Sequence, residues 1–305
     1  MKRSFILAIL LGIAIVPIMA QNENLSIAVA LPKQQMTEKE DVLQLLKSRL
    51  SSAMTESGIG MADYSGIIVS PQTIVTNKKI VEGGMKNIHI YDIELSLVIS
   101  HVITGTVFSS VNLTLRGEGH TKDNAIMASI SNLSSKNKHL AVFFSETRIK
   151  ILDYYRNNTQ AIITKALTMA GMQQYEGAVA LLSSYPETLS QYRLVAAAMK
   201  DVYVMYQQKK CSDILQKAQG AFALGNYEES VRWFNEIDMS SSCAKEAKGL
   251  AGQIKQSVDA ELARNIALYE KQMQVEENIE KRRVQVIENI AVAYYKNQPK
   301  YYFVF

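Results

Sequence analysis

The spacing of apolar residues along the chain changes more than once, and each change marks an element. Leu25-Ser-Ile-Ala-Val-Ala-Leu31 is a short apolar run of strand length. Thr37-Glu-Lys-Glu40 has the form of a capping box, in which the threonine and glutamate side chains satisfy each other's exposed backbone N–H groups at a helix start. The helix it opens carries Val42, Leu45, Leu46, Leu50, Ala53 and Met54 on one face, and Gly58 is a natural stop. Beyond it the period falls from 3.6 to 2. In 89–101 the odd positions are His89, Tyr91, Ile93, Leu95, Leu97, Ile99 and His101, with Asp92, Glu94, Ser96 and Ser100 between them. That alternation predicts a strand with one buried and one wet face. Thr104-Gly105 makes a turn, and the next strand puts Val107, Val111, Leu113 and Leu115 on one face and Asn112, Thr114 and Arg116 on the other. An earlier strand, about 66–81, contains Pro71, which has no N–H to give a neighbour and so predicts an edge or a bulge. Gly83-Gly84 joins it to the following strand as a hairpin. Gly117 and Gly119 close the sheet, and Thr121–Leu133 has helical spacing, with Ala125, Ile126, Ile130 and Leu133 turned inward. The order of strand, helix, three long antiparallel strands and helix predicts an α+β domain over residues 21–135, an antiparallel sheet with helices on one face.

Two stretches of this region, Leu97-Val-Ile-Ser-His-Val-Ile-Thr-Gly-Thr-Val-Phe108 and Leu115-Arg-Gly-Glu-Gly-His-Thr-Lys-Asp-Asn-Ala125, resemble a pattern found in bacterial envelope proteins. These are the curli-secretion-channel family, the outer-membrane lipoprotein activators of penicillin-binding proteins, and a flagellar assembly protein. In them an opening strand ending in proline, like Leu31-Pro32, precedes a helix. A later strand ends in a Thr-Gly turn, and its partner runs into Gly-x-Gly and a helix with an alanine-rich start. The resemblance covers roughly 25–135. It implies an envelope scaffold or assembly role and brings no catalytic residues. The chain lacks the lipid-bearing cysteine of the lipoprotein members.

From Lys138 onward the period is helical. His139–Tyr155 reads as a connecting helix, Ala161–Met172 and Tyr175–Leu182 as a helical hairpin ended by Tyr185-Pro186, and Leu189–Gln208, Ser212–Leu224 and Tyr227–Ile237 as further helices. Gly225-Asn-Tyr-Glu-Glu-Ser-Val-Arg-Trp-Phe234 resembles the middle of a tetratricopeptide repeat, with Ser230 where that family usually has alanine. Gln174-Tyr-Glu-Gly-Ala-Val-Ala-Leu-Leu182 echoes it through Tyr175, Ala178 and Leu182. The echoes lie 52 residues apart instead of 34, which predicts an irregular array over 136–243 capped by the N-terminal domain or the last helix. Ala244 to about Lys296 reads as one long helix, whose stripe is interrupted by Glu276, Glu277 and Glu280. The charged segment Glu276–Arg283 is either a solvated stretch of helix or a partner contact. The chain ends Tyr301-Tyr-Phe-Val-Phe305, with aromatics alternating as in a strand. This tail is expected to add to a sheet edge, in its own chain or another's, because so aromatic a segment is costly to leave in water. Tyr301, Phe303, Phe305, Glu276, Glu280 and Arg283 are therefore the candidate partner-binding residues.

Composition narrows the compartment and the chemistry. The 305 residues are 48% hydrophobic and 20% charged, a globular balance with room for two domains. Lys2-Arg3, the apolar run Phe5 to Val16, and Ala20 before Gln21 read as a secretory signal over 1–20. The run is shorter than the roughly twenty residues of a spanning helix, although a retained anchor is the alternative. Without Lys2 and Arg3 the charge is 31 basic against 29 acidic residues, +2, which offers nucleic acid no electrostatic attraction. In an oxidising compartment the only cysteines, Cys211 and Cys243, are expected to pair. Both stand at expected helix starts, almost one tetratricopeptide repeat apart, and the alternative is two buried thiols. His89 and His101 share a strand face but lie too far apart to share a metal, and no nucleophile, zinc or phosphate-loop motif occurs. Asp92 and Glu94 lie two apart on the exposed strand face, a spacing compatible with a carboxylate pair, although strand faces often carry such pairs for solubility. The sequence thus predicts an exported, non-enzymatic protein-binding scaffold of the bacterial envelope, periplasmic or secreted, without cofactor or metal. Its expected partners are envelope proteins, with a homo-oligomer possible, no nucleic acid, and membrane association only through a partner. The alternatives are a self-assembling ring or channel component and an envelope-polymer hydrolase.

Overall fold

The seven-residue strand β1 (Ser26–Pro32) is where the two halves of the chain meet. In the computed structural model, which describes residues 25–32, 40–83, 86–133, 137–238, 241–257, 264, 266–267 and 279–304, β1 leads into α1 (Glu40–Glu56). Then follow β2 (Gly60–Met61), β3 (Ile67–Val81), β4 (Ile88–His101), β5 (Val107–Gly119) and α2 (Lys122–Ser131). The strand order is β2–β1–β3–β4–β5. Mixed α+β architecture is as the sequence predicts, and β3, β4 and β5 are antiparallel. β1 is not: it runs parallel to both β2 and β3. The helix α1 returns the chain to the end of the sheet where β1 began, so the next strands start in the same direction. Ile27 through Leu31 are all buried whatever their parity. Helices on one face therefore describes β4 and β5 but not β1, which is covered on both sides, as its unbroken apolar run requires.

Pro71 sits where β1 stops covering β3, since β1 reaches only Ile68 and Val69. From there β3 is an edge strand, and its bulge lies at Val75/Asn77 instead of at the proline. A second bulge, between Ile99 and Ser100, pairs Ser100 with Val107. It turns Val107 to the opposite face from Leu113 and Leu115 and leaves it 59% exposed, against the expected pattern. α2, capped by Thr121, lies on β5 where Gly117 and Gly119 leave room; a methyl on Gly117 would collide with the Ala125 carbonyl and the Ser129 N–H. Most of the expected capping box, and Gly84 of the hairpin, lie outside the described residues.

The second half comprises α3 (Lys138–Gly171), α4 (Tyr175–Ser183), α5 (Tyr192–Ala223), α6 (Tyr227–Asn235), α7 (Ala244–Ser257), α8 (Ile279–Lys296) and the strand β6 (Tyr301–Phe303). Four expected helices merge into two: α3 runs through 156–160, and α5 through 209–211. No glycine or proline breaks either segment, and burial of Tyr155, Thr159, Ile162 and Ile163 carries α3 through the poor helix formers, with Asn158 and Thr159 bonding back to the carbonyls of Tyr154 and Tyr155. The array is also regular where irregularity was expected. α3 and α4 end and begin 52 residues before α5 and α6 do. The turn residues Gln173 and Gly225 both have positive φ, 61° and 74°. The bond from Gln174 N–H to Met169 O recurs from Asn226 N–H to Ala221 O, each 2.9 Å. Ala166, Ala178 and Leu182 are buried, as are Ala218, Ser230 and Phe234. The buried positions of α7, Ala247, Leu250, Ala251 and Ile254, repeat those at Val195, Ala198, Met199 and Val202. A unit of 52 exceeds 34 by 18 residues, about five helical turns, so the long helix grows without rotating its apolar face.

α8 starts 52 residues after α6 but does not pack as that unit's short helix: it lies on α4. The reason is in the equivalent residues. α4 presents buried Gly177, Ala180 and Leu181, whereas α6 has Glu229, Arg232 and Trp233 at those positions. Arg232 pairs with Glu229 and Lys217 covers the Trp233 ring, so that face carries its own polar cover. Whether α7 and α8 belong to one continuous helix concerns 258–278, largely outside the described residues. Two buried clusters result. The first runs from Leu25 to Tyr203 and takes in Ile290–Val304, so it crosses the expected boundary near 136; the second runs from Cys211 to Ile266 and crosses that near 244.

Candidate functional site

The joint between sheet and helices is built on polar groups. His101, at the end of β4, is 1% exposed. Its Nδ1 accepts the N–H groups of Ile103 and Thr104 at 3.1 and 3.3 Å, which leaves the proton on Nε2, 3.1 Å from Ser184 Oγ. Ser184 Oγ also receives the Tyr155 hydroxyl at 3.0 Å and donates to Leu181 O at 2.6 Å. A serine nucleophile needs a free ring nitrogen to take its proton. Here the ring donates to the serine, and the serine's proton is committed to a carbonyl, so this Ser–His pair is a structural joint. Burial, with Lys165 adding to it, lowers the His101 pKa from 6.5 to about 4. The unfolded chain therefore binds this proton first as the pH falls. About 3 kcal/mol of stability, complete above pH 6.5, is expected to be lost between about pH 6.5 and pH 4. Urea midpoints across that range test it: His101→Gln should flatten the decline, and an unchanged decline would assign it to other groups.

Above this joint lies a groove with a cavity of about 700 Å³. Its floor is Leu25, Ser26 and Tyr64–Gly66 from the sheet and Ser183–Glu187 from the end of α4. One wall is the first half of α5, through Tyr192, Ala196, Met199, Lys200 and Tyr203; the other is α8, through Arg283, Val284, Ile287, Glu288, Ala291 and Tyr295. The α5 spacing of four, three and four residues aims one helical stripe at the opening. Burial holds the Tyr203 phenol above its ordinary pKa; Asp238 adds to that and the Arg283 cation opposes it. The Tyr192 hydroxyl, also in the lining, donates to Glu187 at 3.2 Å. Such a mixture of aromatic lining and few polar groups suits a binding surface.

Of the residues singled out in the sequence, Arg283 lines this groove. Phe303 does not reach it: 3% exposed, it packs on Tyr64 with ring centroids 5.3 Å apart, and β6 pairs antiparallel with β1. The tail thus completes its own sheet, which removes Phe303 from the partner-binding candidates, while Tyr301 is half-buried beside it. Glu276 and Phe305 lie outside the described residues, and Glu280 is placed only as a backbone position in α8. Cys211 and Cys243 form a disulfide with Cα atoms 6.1 Å apart. Cys211 lies inside α5, not at a helix start, so the bridge ties the middle of one long helix to the residue before α7. Asp92 is engaged by Asn77 at 3.1 Å and faces Arg116 at 3.9 Å, a cross-strand arrangement. Among the described residues no group of three or more His, Cys, Asp or Glu could hold a metal, and no helix is long and apolar enough to cross a membrane.

The chain matches no protein-family model. No curated protein matches it either. Among solved structures, a minor lipoprotein from Acinetobacter baumannii is similar at 13% identity and a TM-score of 0.22, over 42% of this chain and 88% of that one. A likeness that slight shows nothing of this chain's fold or role.

Proposed function

We propose that the protein is an exported, non-enzymatic scaffold of the bacterial envelope that binds a polypeptide segment in the groove between α5 and α8. The observation that carries the reading is the groove itself, where the sheet, the first repeat unit and the C-terminal helix all contribute walls and where Val284 stays 56% exposed. The signal-like segment 1–20, the resemblance of 25–135 to envelope assembly proteins and the disulfide support the compartment. The helical units are a lengthened form of the tetratricopeptide grammar, long helix and short helix joined by a left-handed turn residue, a design that presents grooves to peptides. Groove recognition would rest on Tyr192 and Val284, with Lys200 and Glu187 selecting the segment's charges.

Photo-crosslinking in intact cells tests this. A crosslinker at Val284 or Tyr192 is expected to trap one or two envelope proteins, and Lys200→Glu to reduce the yield several-fold. A crosslinker at Ile149, exposed on α3, is expected to trap neither. Equal capture from both positions would defeat the reading, and self-crosslinks alone would favour an oligomeric ring.

A further inference from the structure

α8 and β6 are held differently from the rest of the chain. β6 meets β1 over three residue pairs, Ala30, Leu31 and Pro32 against Phe303, Tyr302 and Tyr301, and one more bond runs from Val304 N–H to Val29 O. By contrast β3 and β4 pair along their whole length. α8 is anchored chiefly by its second half: Ile290, Ala291 and Tyr295 are buried, Ile287 and Tyr294 pack partly buried against the same cluster, and the Tyr295 hydroxyl donates to Ala180 O. Its earlier turns stand over the groove, with Val284 and Val286 56% and 38% exposed. A small residue lets α4 fit between α3 and α8, because a Cβ on Gly177 would come within 2.7 Å of the Met169 methyl of α3 and 3.2 Å of the Tyr294 ring of α8. The equivalent residue of the next unit is Glu229, so the seat for α8 is written into the first unit alone.

We propose that residues 279–304 form a strap that opens and closes as one unit over α4 and the outer edge of β1, and so makes or removes the second wall of the groove. β2 and β6 share that edge: the Leu25 and Ile27 carbonyls accept from Gly60 and Ala62, and the Val29 carbonyl accepts from Val304. Opening the strap frees the backbone groups of Val29 to Pro32 and uncovers Gly177, Ala180 and Leu181. An element whose release leaves the β3–β4–β5 pairing and the packing of α3, α4 and α5 in place opens locally at less cost than the whole fold. A ligand touching both walls would hold the strap shut by mass action. This gating rests on the groove being a binding surface, whereas the motion itself is measured with no ligand present, so a failed capture and an immobile strap are separate results.

Native-state hydrogen exchange on the full chain tests the motion. Amides of 286–296 and 301–304 are expected to exchange together, at least about 100-fold faster than those of α3 and β4. Tyr295→Phe, which removes one hydroxyl, should speed them about tenfold further and leave α3 and β4 unchanged. Gly177→Glu, which gives the first unit the residue of the second, should release the strap altogether. Strap amides as slow as those of α3 in the natural chain, or a Tyr295→Phe effect spread evenly over the chain, would overturn the proposal. Gly177→Glu leaving the strap amides at the rate of the natural chain would overturn it too.

Discussion

Replacing Gly117 by alanine is expected to cost at least about 3 kcal/mol and to strip α2 from the sheet. The obstacle is backbone and not side chain: the new methyl would meet the Ala125 carbonyl and the Ser129 N–H, neither of which can rotate away. α2 would have to lift off β5, uncovering Ile126 and Ile130, which are buried against the sheet, and the buried Leu113 and Leu115. Ser129, whose hydroxyl bonds Ala125 O at 2.8 Å, would lose its place as well. Urea denaturation followed by far-ultraviolet dichroism reads the loss. A midpoint within error of the natural chain would mean that α2 is not seated as described. The Gly-x-Gly pattern that resembles envelope assembly proteins thus has a packing cause here, the close approach of a helix to a strand.

Removing the disulfide, by Cys211→Ser with Cys243→Ser, is expected to destabilise the second cluster by about 3.5 kcal/mol, the loop-closure value for its 32-residue separation. That cluster is small, built on Ile214, Leu215, Ala218, Val231, Phe234, Ile237 and the inner face of α7. A core of that size has little reserve. The effect should be local. Limited proteolysis should cut α6 and α7 in the variant while 67–119 stays intact, and equal protease resistance in both proteins would show that packing alone holds the cluster.

Legibility varied with how local the signal was. The alternation in β4 was readable residue by residue, because burial there follows strand parity from Tyr91 to Ile99. The parallel pairing of β1 was less so, although its run of apolar residues without alternation is what burial on both faces looks like. Arg156-Asn-Asn-Thr-Gln160 reads as a helix break by propensity, and the burial of Tyr155, Thr159, Ile162 and Ile163 that overrides it depends on packing partners distant in sequence. The repeat was half visible. Tyr175, Ala178 and Leu182 announced their partners at Tyr227, Ser230 and Phe234, but a template of 34 made the true interval look like disorder in the array. The groove was almost illegible, since its lining comes from four segments far apart in sequence. The one available hint was the density of tyrosine, 15 in the chain, of which Tyr64, Tyr185, Tyr192, Tyr203 and Tyr295 converge here.

α5 has 32 residues, roughly 48 Å of helix. Among the described residues it alone contributes to both buried clusters, the first through Val195–Tyr203 and the second through Cys211–Ala218. It acts as an axle on which the second cluster is keyed. One residue inserted between Tyr206 and Cys211 would turn that cluster by about 100° and shift it about 1.5 Å along the shaft, with every local contact of each cluster intact. The bearing of the disulfide-tied end relative to the groove is therefore counted out in residues, and only insertions near whole turns, such as seven or eighteen, would preserve it.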